Sequence, residues 1–334
     1  MKKVISLLGL MVLLAVAAFG CGGQNTQTDK KATAGENGQV VKVGIIQITE
    51  HPALDAARQG FIESLKEKGY TEGKNLEIDY QNAQGDQSNL KTIAQKFVTD
   101  KKDLILAIAT PSAITMAGET DQIPILITAV TDPVAAKLVK SNEEPGGNIT
   151  GTTDMTPVKE QLELLQKIAP KVKKVGVLYN SSEINSEIQA DIARKAAATL
   201  GLQVTEATVT GSAEVQQIAQ SLAQKVDAIY VPTDNVVASS IASVVSVAEE
   251  KHIPLVVGEK GMVEGGALAT VGIDYYKLGR QTGDMAVRVL KGEDPAKMPI
   301  EKLKDSSIVI NKKAARSMGV TIPQDILAKA QVVE

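Results

Sequence analysis

The 334-residue sequence has no tryptophan, only three phenylalanines and six tyrosines, so its core must be built from Ile, Val, Leu and Ala. Its single cysteine excludes an internal disulfide. Two histidines, His51 and His252, leave little material for a metal cluster or a Ser/His or Cys/His nucleophile pair. No Gly-Lys-Ser/Thr phosphate loop, Gly-x-Ser-x-Gly elbow or dinucleotide fingerprint occurs. There is no basic excess either: the net charge is −3, so no nucleic-acid partner is expected. A pair of carboxylates acting as acid and base stays open, but nothing in the pattern points to one. The expectation is a protein that is not an enzyme and has no cofactor and no metal.

What is present is a globular composition, 43% hydrophobic and 22% charged, in a chain long enough for two domains. Residues 1–20 are set apart from the fold. Lys2 and Lys3 precede the apolar run "VISLLGLMVLLAVAAF", which has signal-peptide length. Cys21 follows at once in "AAFGCGGQ", with Ala18 and Gly20 placed as in a bacterial lipobox. That pattern predicts a cysteine that is acylated, with palmitate as one expected chain, and becomes the first mature residue. An uncleaved anchor or a plainly secreted protein is the alternative, and each reading exports the chain. Residues 21–40 are polar and rich in Gly and Thr, a flexible tether by composition.

From Val41 onward, short β-branched runs alternate with helical patterns, which implies a parallel sheet covered on both faces. "VKVGIIQI", "NLEIDYQ", "DLILAIA" and "IPILITAV" read as strands. "PALDAARQGFIESLKEKG", "NLKTIAQKFVTD", "SAITMAGET" and "PVAAKLVK" read as the helices between and after them. Then the series restarts. "KKVGVLYN", "LQVTEATV", "VDAIYVP" and "IPLVVGE" are strands; "NSEIQADIARKAAATLG", "SAEVQQIAQSLA" and "NVVASSIASVVSVAEEK" are helices. Landmarks recur: Gly44 and Gly176, Asp103 and Asp227, and the Ile-Pro pairs at 123 and 253. The reading is two similar doubly wound α/β lobes in tandem. "EPGGNITGTTD", residues 144–154, reads as the first connection between them, or as an ordinary surface loop. The elements after Gly265 fit neither repeat and could complete both lobes.

In open parallel sheets, ligands bind beyond the carboxyl ends of the strands. The residues found there are hydroxyls, carboxylates and asparagines, which suit a small polar ligand. The candidates are Glu50 and His51, Thr110 and Ser112, Thr131 and Asp132, Ser182, Asn185 and Ser186, Thr233, Asp234 and Asn235, and Asp274. Thr110 and Ser112 open a helix, where hydroxyls and free amides can hold a carboxylate. Asp274 could take an ammonium in a charge-assisted bond. Each of these residues could instead merely cap a helix, and a histidine before a proline is often no more than a cap.

The segments "ITEHPALD", "GFIESLKEKGY", "AIATPSA", "AVTDPVAAKLV", "PGGNITGTTD", "YNSSEINS", "VPTDNVV" and "VGIDYYKLGRQ" span about residues 43–290. With them the chain resembles the solute-binding lipoproteins of ABC importers, in the family with tryptophan-, tyrosine- and phenylalanine-binding members. The resemblance implies a type I periplasmic-binding-protein fold, two doubly wound parallel-sheet lobes joined by three hinge strands. It divides the chain into 41–153 plus 274–294 and 154–273 plus 295–334. It implies a cleft that closes on an L-amino acid, an aromatic one by analogy with the family's members. Helix starts and charge then assign the carboxylate to Thr110 and Ser112, and the ammonium to Asp234 or Asp274. It also implies ABC permease and ATPase partners, a lipid anchor in the bilayer, a monomer, and a place outside the cytoplasm. A sensory or adhesive surface receptor with the same lobes is the alternative. Few aromatics are available for stacking; Tyr179, Tyr230, Tyr275 and Tyr276 lie near the mouth.

Overall fold

The computed structural model describes residues 40–334, so the expected signal peptide, Cys21 and the tether lie outside the described residues. Strands β1 (Val41–Gln47), β2 (Leu76–Asn82), β3 (Leu104–Ile108), β4 (Ile125–Val130) and β5 (Ile149–Thr153) build a first sheet. Helices α1 (Pro52–Glu67), α2 (Gln87–Thr99) and α3 (Thr110–Glu119) cover it. After α4 (Val158–Ile168), a second sheet begins with β6 (Lys174–Asn180), β7 (Gln203–Val209), β8 (Ala228–Val231), β9 (Leu255–Val257) and β10 (Ala269–Gly272). Its helices are α5 (Ile184–Thr199), α6 (Val215–Ala223), α7 (Asn235–Ser239), α8 (Ile241–Lys251) and α9 (Lys260–Glu264). Then α10 (Tyr275–Leu290) and β11 (Glu301–Lys302) return to the first lobe. The second is completed by β12 (Ser307–Asn311), α11 (Lys312–Ser317), α12 (Gln324–Leu327) and β13 (Gln331–Val333).

The strand orders are β11-β5-β4-β3-β1-β2 and β13-β12-β10-β9-β8-β6-β7, so the two cores are wound alike. All pairings are parallel except β10 with β12. The recurring landmarks have recurring jobs. A Cβ on Gly44 would lie 2.7 Å from the Phe97 ring, and one on Gly176 would lie 2.7 Å from Leu222. Each glycine lets a helix side chain press on the middle of the first strand of its sheet. Asp103 accepts the Lys42 N–H at 2.7 Å; Asp227 accepts those of Lys173 and Lys174 at 2.9 and 2.8 Å. Pro124 and Pro254 each offer a carbonyl, at 2.9 Å, to Ile105 and Ile229 on the neighbouring strand.

The chain passes between sheets three times: after β5, after β10 and after β11. The last passage comes later than the expected Pro295, because Glu301 and Lys302 still pair with Thr152 and Thr153. Other expectations also need correction. "PVAAKLVK" makes a turn, not a helix, because Lys137 adopts φ 58° and Val139 then enters the core. Residues 149–153 of the expected connection form the buried strand β5, and the crossing starts only at Asp154. In β5, Gly151 has φ +140°, and a Cβ there would meet the Ile127 carbonyl oxygen at 2.2 Å, so the small residue is required. The helix expected over 235–251 is two, broken at Ser240. Helix α4 went unread, although Val158, Leu162, Leu165 and Ile168 bury one face at helical spacing.

Candidate ligand-binding site

The residues just past the strands of both sheets meet around a small cavity of about 20 Å³. From the first lobe come His51 and Leu54 (after β1), Ala129 and Thr131 (at the end of β4) and Tyr275 of α10. Asp154, on the first crossing, completes that side. From the second come Asn185 of α5, Thr233, Asp234, Asn235 and Ala238 (after β8), and Glu259 (after β9). A neighbouring cleft of about 260 Å³ shares Asn235 and includes Pro111, Ser182, Glu183 and Val236. The lobes are in contact: an added Cβ on Gly261 of α9 would lie 3.1 Å from Ala53 N and from Pro52 Cβ of α1.

Strained backbone frames the first-lobe side. Ala109 (φ 76°, ψ 156°) and Ala129 (φ 55°) are non-glycine residues with positive φ, at the carboxyl ends of β3 and β4. Such conformations cost about 1–3 kcal/mol each and gather at ligand clamps. Ala109 directs the start of α3, which no side chain caps. There Thr110 and Ser112 are buried and their hydroxyls have no partner in the protein. They do not line the cavity itself; Pro111 between them lines the adjoining cleft.

The electrostatics of the cavity run one way. Asp154, Asp234 and Glu259 line it, and no lysine or arginine does. Asp234 is buried, but its oxygens already accept the N–H of Val237 (2.8 Å) and Asn180 (2.6 Å) and the Ser186 hydroxyl (2.7 Å). It is the N-cap of α7. Glu259 caps α9 through the amides of Gly261 and Met262, and burial pushes its carboxyl up to about 7. Tyr275 donates its hydroxyl to Asp154 Oδ2 at 2.6 Å. Burial raises the Asp154 pKa, with the hydroxyls of Tyr275 and Thr131 opposing it, although Thr131 stands outside strict bonding geometry of Asp154 Oδ1. His51 is buried with neither ring nitrogen within bonding geometry of a partner. Desolvation lowers it to about 4, opposed by the nearby Asn235 amide from the other lobe.

Of the residues expected from sequence, the structure brings His51, Thr131, Asn185, Thr233, Asp234 and Asn235 to the cavity. Ser186 stands behind Asp234 and bonds it. The rest are elsewhere. Glu50 is exposed and accepts the Tyr80 hydroxyl at 3.1 Å. Asp132 caps the turn at Val134 and Ala135, and exposed Ser182 closes a turn on Asn180. Asp274, an expected ammonium partner, is outside the lining and caps α10 through the Lys277 N–H at 3.0 Å. Asp154 and Glu259 are absent from the residues expected from sequence, and Tyr275 is expected only as an aromatic near the mouth. Glu259 and Tyr275 lie in post-strand segments whose polar residues invited that reading. Asp154 was hidden because the strand it follows passed for a loop. Glu183, also unpredicted, is buried and accepts amide hydrogens from Asn180, Asn185 and Asn235.

The Glu259 shift has a measurable sign. The folded protein holds a proton that the unfolded chain, with its ordinary value of 4.5, gives up. Its contribution to stability therefore falls as pH rises from 4.5 to about 7. His51, lowered from 6.5 to about 4, acts oppositely, adding stability as pH rises through that interval. Glu259→Gln removes the first effect alone. Its melting temperature should therefore decline less, or climb more, than wild type between those pH values, as scanning calorimetry would show.

Two wound lobes with a polar cavity between their strand ends define a two-lobed solute-binding protein. The chain belongs to the ABC transporter substrate binding protein family, whose profile matches residues 42–334. It is 45% identical over 320 residues to a tyrosine-binding protein of Clostridioides difficile, covering 95% of this chain and 92% of that one. A Streptococcus pneumoniae ABC domain in complex with L-Trp is similar at 40% identity and TM-score 0.86, covering 88% of this chain and all of that one. The ligand-free, open structure of a Clostridium difficile substrate-binding protein with adhesive properties is 48% identical, covering 88% of this chain and 99% of that one. Its TM-score is only 0.68. The chain is closer in sequence to the open structure and closer in shape to the ligand-bound one, in keeping with the contact between its lobes.

Proposed function

We propose that this chain is the extracytoplasmic receptor of an ABC importer and that it binds an L-amino acid with an aromatic side chain between its lobes. One observation carries the reading: buried polar groups in the cavity wall and beside it lack partners in complementary sets. Asp154 Oδ1 and Asn185 Oδ1 are acceptors, and the Thr110 and Ser112 hydroxyls are donors. Buried polar groups are nearly always satisfied, so a ligand with an ammonium and a carboxylate is what they suit. The tyrosine-binding relative and the L-Trp complex support an aromatic side chain. Leu54, Ala129 and Ala238 offer it apolar walls beside Tyr275.

The protein does no chemistry in this reading. Ligand touching both lobes favours the closed state, and a permease with its ATPase recognises that state. The receptor works as a monomer held to the membrane by acylated Cys21. Among the described residues no helix is long and apolar enough to cross a membrane. A second role as an adhesive surface receptor is favoured by the adhesive properties of the 48%-identical relative.

A thermal-shift screen of the common amino acids tests the reading. Tyrosine, tryptophan or phenylalanine in large excess should raise the melting temperature by about 5 °C or more. Response to a sugar and to no amino acid would overturn it.

A further inference from the structure

Alone among the carboxylates lining the cavity, Asp154 keeps an oxygen with no protein partner, and it is 3% exposed. Its N–H donates to the Val130 carbonyl at 3.1 Å, and its Oδ2 is occupied by the Tyr275 hydroxyl. Its position in the fold matters as much as its chemistry. Asp154 is the first residue past β5, on the first crossing between lobes. Tyr275 is the first residue of α10, just past the second crossing. One hydrogen bond therefore joins two of the three connections.

The opposite lobe presents Asn185. It is 4% exposed, its Oδ1 is also without a partner, and its amide nitrogen is turned to Glu183, Ser186 and the Thr233 carbonyl. Two buried acceptors face one cavity, in a wall without lysine or arginine. They call for a donor that carries positive charge.

We propose that Asp154 Oδ1 anchors the ammonium group of the ligand, with Asn185 Oδ1 as its acceptor from the opposite lobe. Tyr275 is a positioning residue that holds the Asp154 carboxylate. The inference rests on the amino-acid reading above and adds where the amine docks: on the connection between the lobes, not on a rim. Amine recognition and lobe closure then become one event.

The proposal has a proton consequence. The titratable groups around Asp154 are Tyr275 at the start of α10, Glu259 ahead of α9, Asp234 ahead of α7 and His51 ahead of α1. None of these brings a lysine or arginine charge to it. An arriving ammonium favours the ionised carboxylate, against the burial that raises its pKa.

The test is calorimetric titration of the full chain with L-tyrosine and with its des-amino analogue, 3-(4-hydroxyphenyl)propanoate. Wild type should bind L-tyrosine about 30-fold or more tightly than the analogue. Asp154→Asn keeps the shape and the Tyr275 bond but removes the charge. It should weaken L-tyrosine by about 30-fold or more and change the analogue by less than about threefold. Tyr275→Phe should weaken L-tyrosine by about threefold to tenfold and shift the pH at which binding fades upward, since the freed carboxylate holds its proton more firmly. L-tyrosine affinity unchanged in Asp154→Asn, or an equal fall for both compounds, overturns the assignment and leaves the amino-acid reading standing. A wild-type protein that binds neither L-tyrosine nor L-tryptophan overturns both. Should Asp154→Asn not fold, Asn185→Ala decides: a loss of affinity for L-tyrosine about tenfold larger than for the analogue supports the two-lobe anchor, and an equal change for both overturns it.

Discussion

Gly279→Ala should cost about 3 kcal/mol or more of folding stability, among the largest losses expected from a single methyl group at any of the described residues. A Cβ at position 279 would sit 1.9 Å from the Ala57 carbonyl oxygen and 2.8 Å from Ala57 Cα. These are backbone atoms of α1 and cannot swing aside as a side chain would. The contact is extended by Gly60, where a Cβ would meet the Tyr276 carbonyl oxygen at 2.1 Å, and by Gly283, where it would meet Ser64 Cβ at 2.6 Å. The two helix backbones thus touch along a line of glycines, with Ser64 bonded to Asp284 at 2.9 Å beside it. None of the three glycines has a positive φ, so space alone demands them. The effect reaches the site, because α1 begins after His51 and α10 begins with Tyr275, and both line the cavity. Denaturant unfolding should show the loss, and titration should show weakened binding in whatever folds. Gly118→Ala in α3 is the control: nothing lies within 4 Å of its Cβ, and it should be neutral or slightly stabilising. Equal stability for the two variants would mean that the α1–α10 contact is looser than described.

Replacing Thr110 by Val and Ser112 by Ala together should move stability and affinity in opposite directions. Both hydroxyls are buried without a partner, an arrangement that costs about 1–3 kcal/mol per group. Apolar replacements of similar shape remove that cost, so the ligand-free melting temperature should hold or rise. If the hydroxyls serve the ligand carboxylate, as charge-assisted donors at the start of α3, the same change should weaken binding about 10-fold to 100-fold. A purely structural pair would show no such split. Unchanged affinity would send the carboxylate to another part of the cleft.

The pair also marks how far the sequence carries. A hydroxyl on either side of a proline, just past a strand of continuous aliphatics, is recognisable without coordinates, because the strand end fixes its address; that both hydroxyls are buried outside the cavity lining is set by packing. The duplication was legible for a similar reason. Gly44 and Gly176 make room for one large side chain each, and Asp103 and Asp227 tie the third strand of each sheet to its first, so selection for one packing solution left the same residues twice. What escaped was set by long-range contacts. Strand β5 is written with glycine and threonine because Gly151 must pass close to β4 and because Thr150 and Thr152 bond Met298, Thr128 and Thr282 from inside the sheet. Local propensity reads such a segment as a loop. Asp154 vanished with it. Asp274 and Asp132 erred the other way: each has the composition of a ligand contact, and each spends its oxygen on amides of its own turn.

The α1–α10 contact also governs when the molecule can be finished. Ser64 and Asp284 are 220 residues apart, and the whole second winding, β6 to β10, emerges between their helices during synthesis. Until α10 is made, α1 has no cover for the face carrying Gly60 and Ser64, and the first sheet lacks its edge at β11. The half that is translated first is therefore the half that must wait. Joining ends so far apart is entropically slow and leaves aliphatic surface open meanwhile.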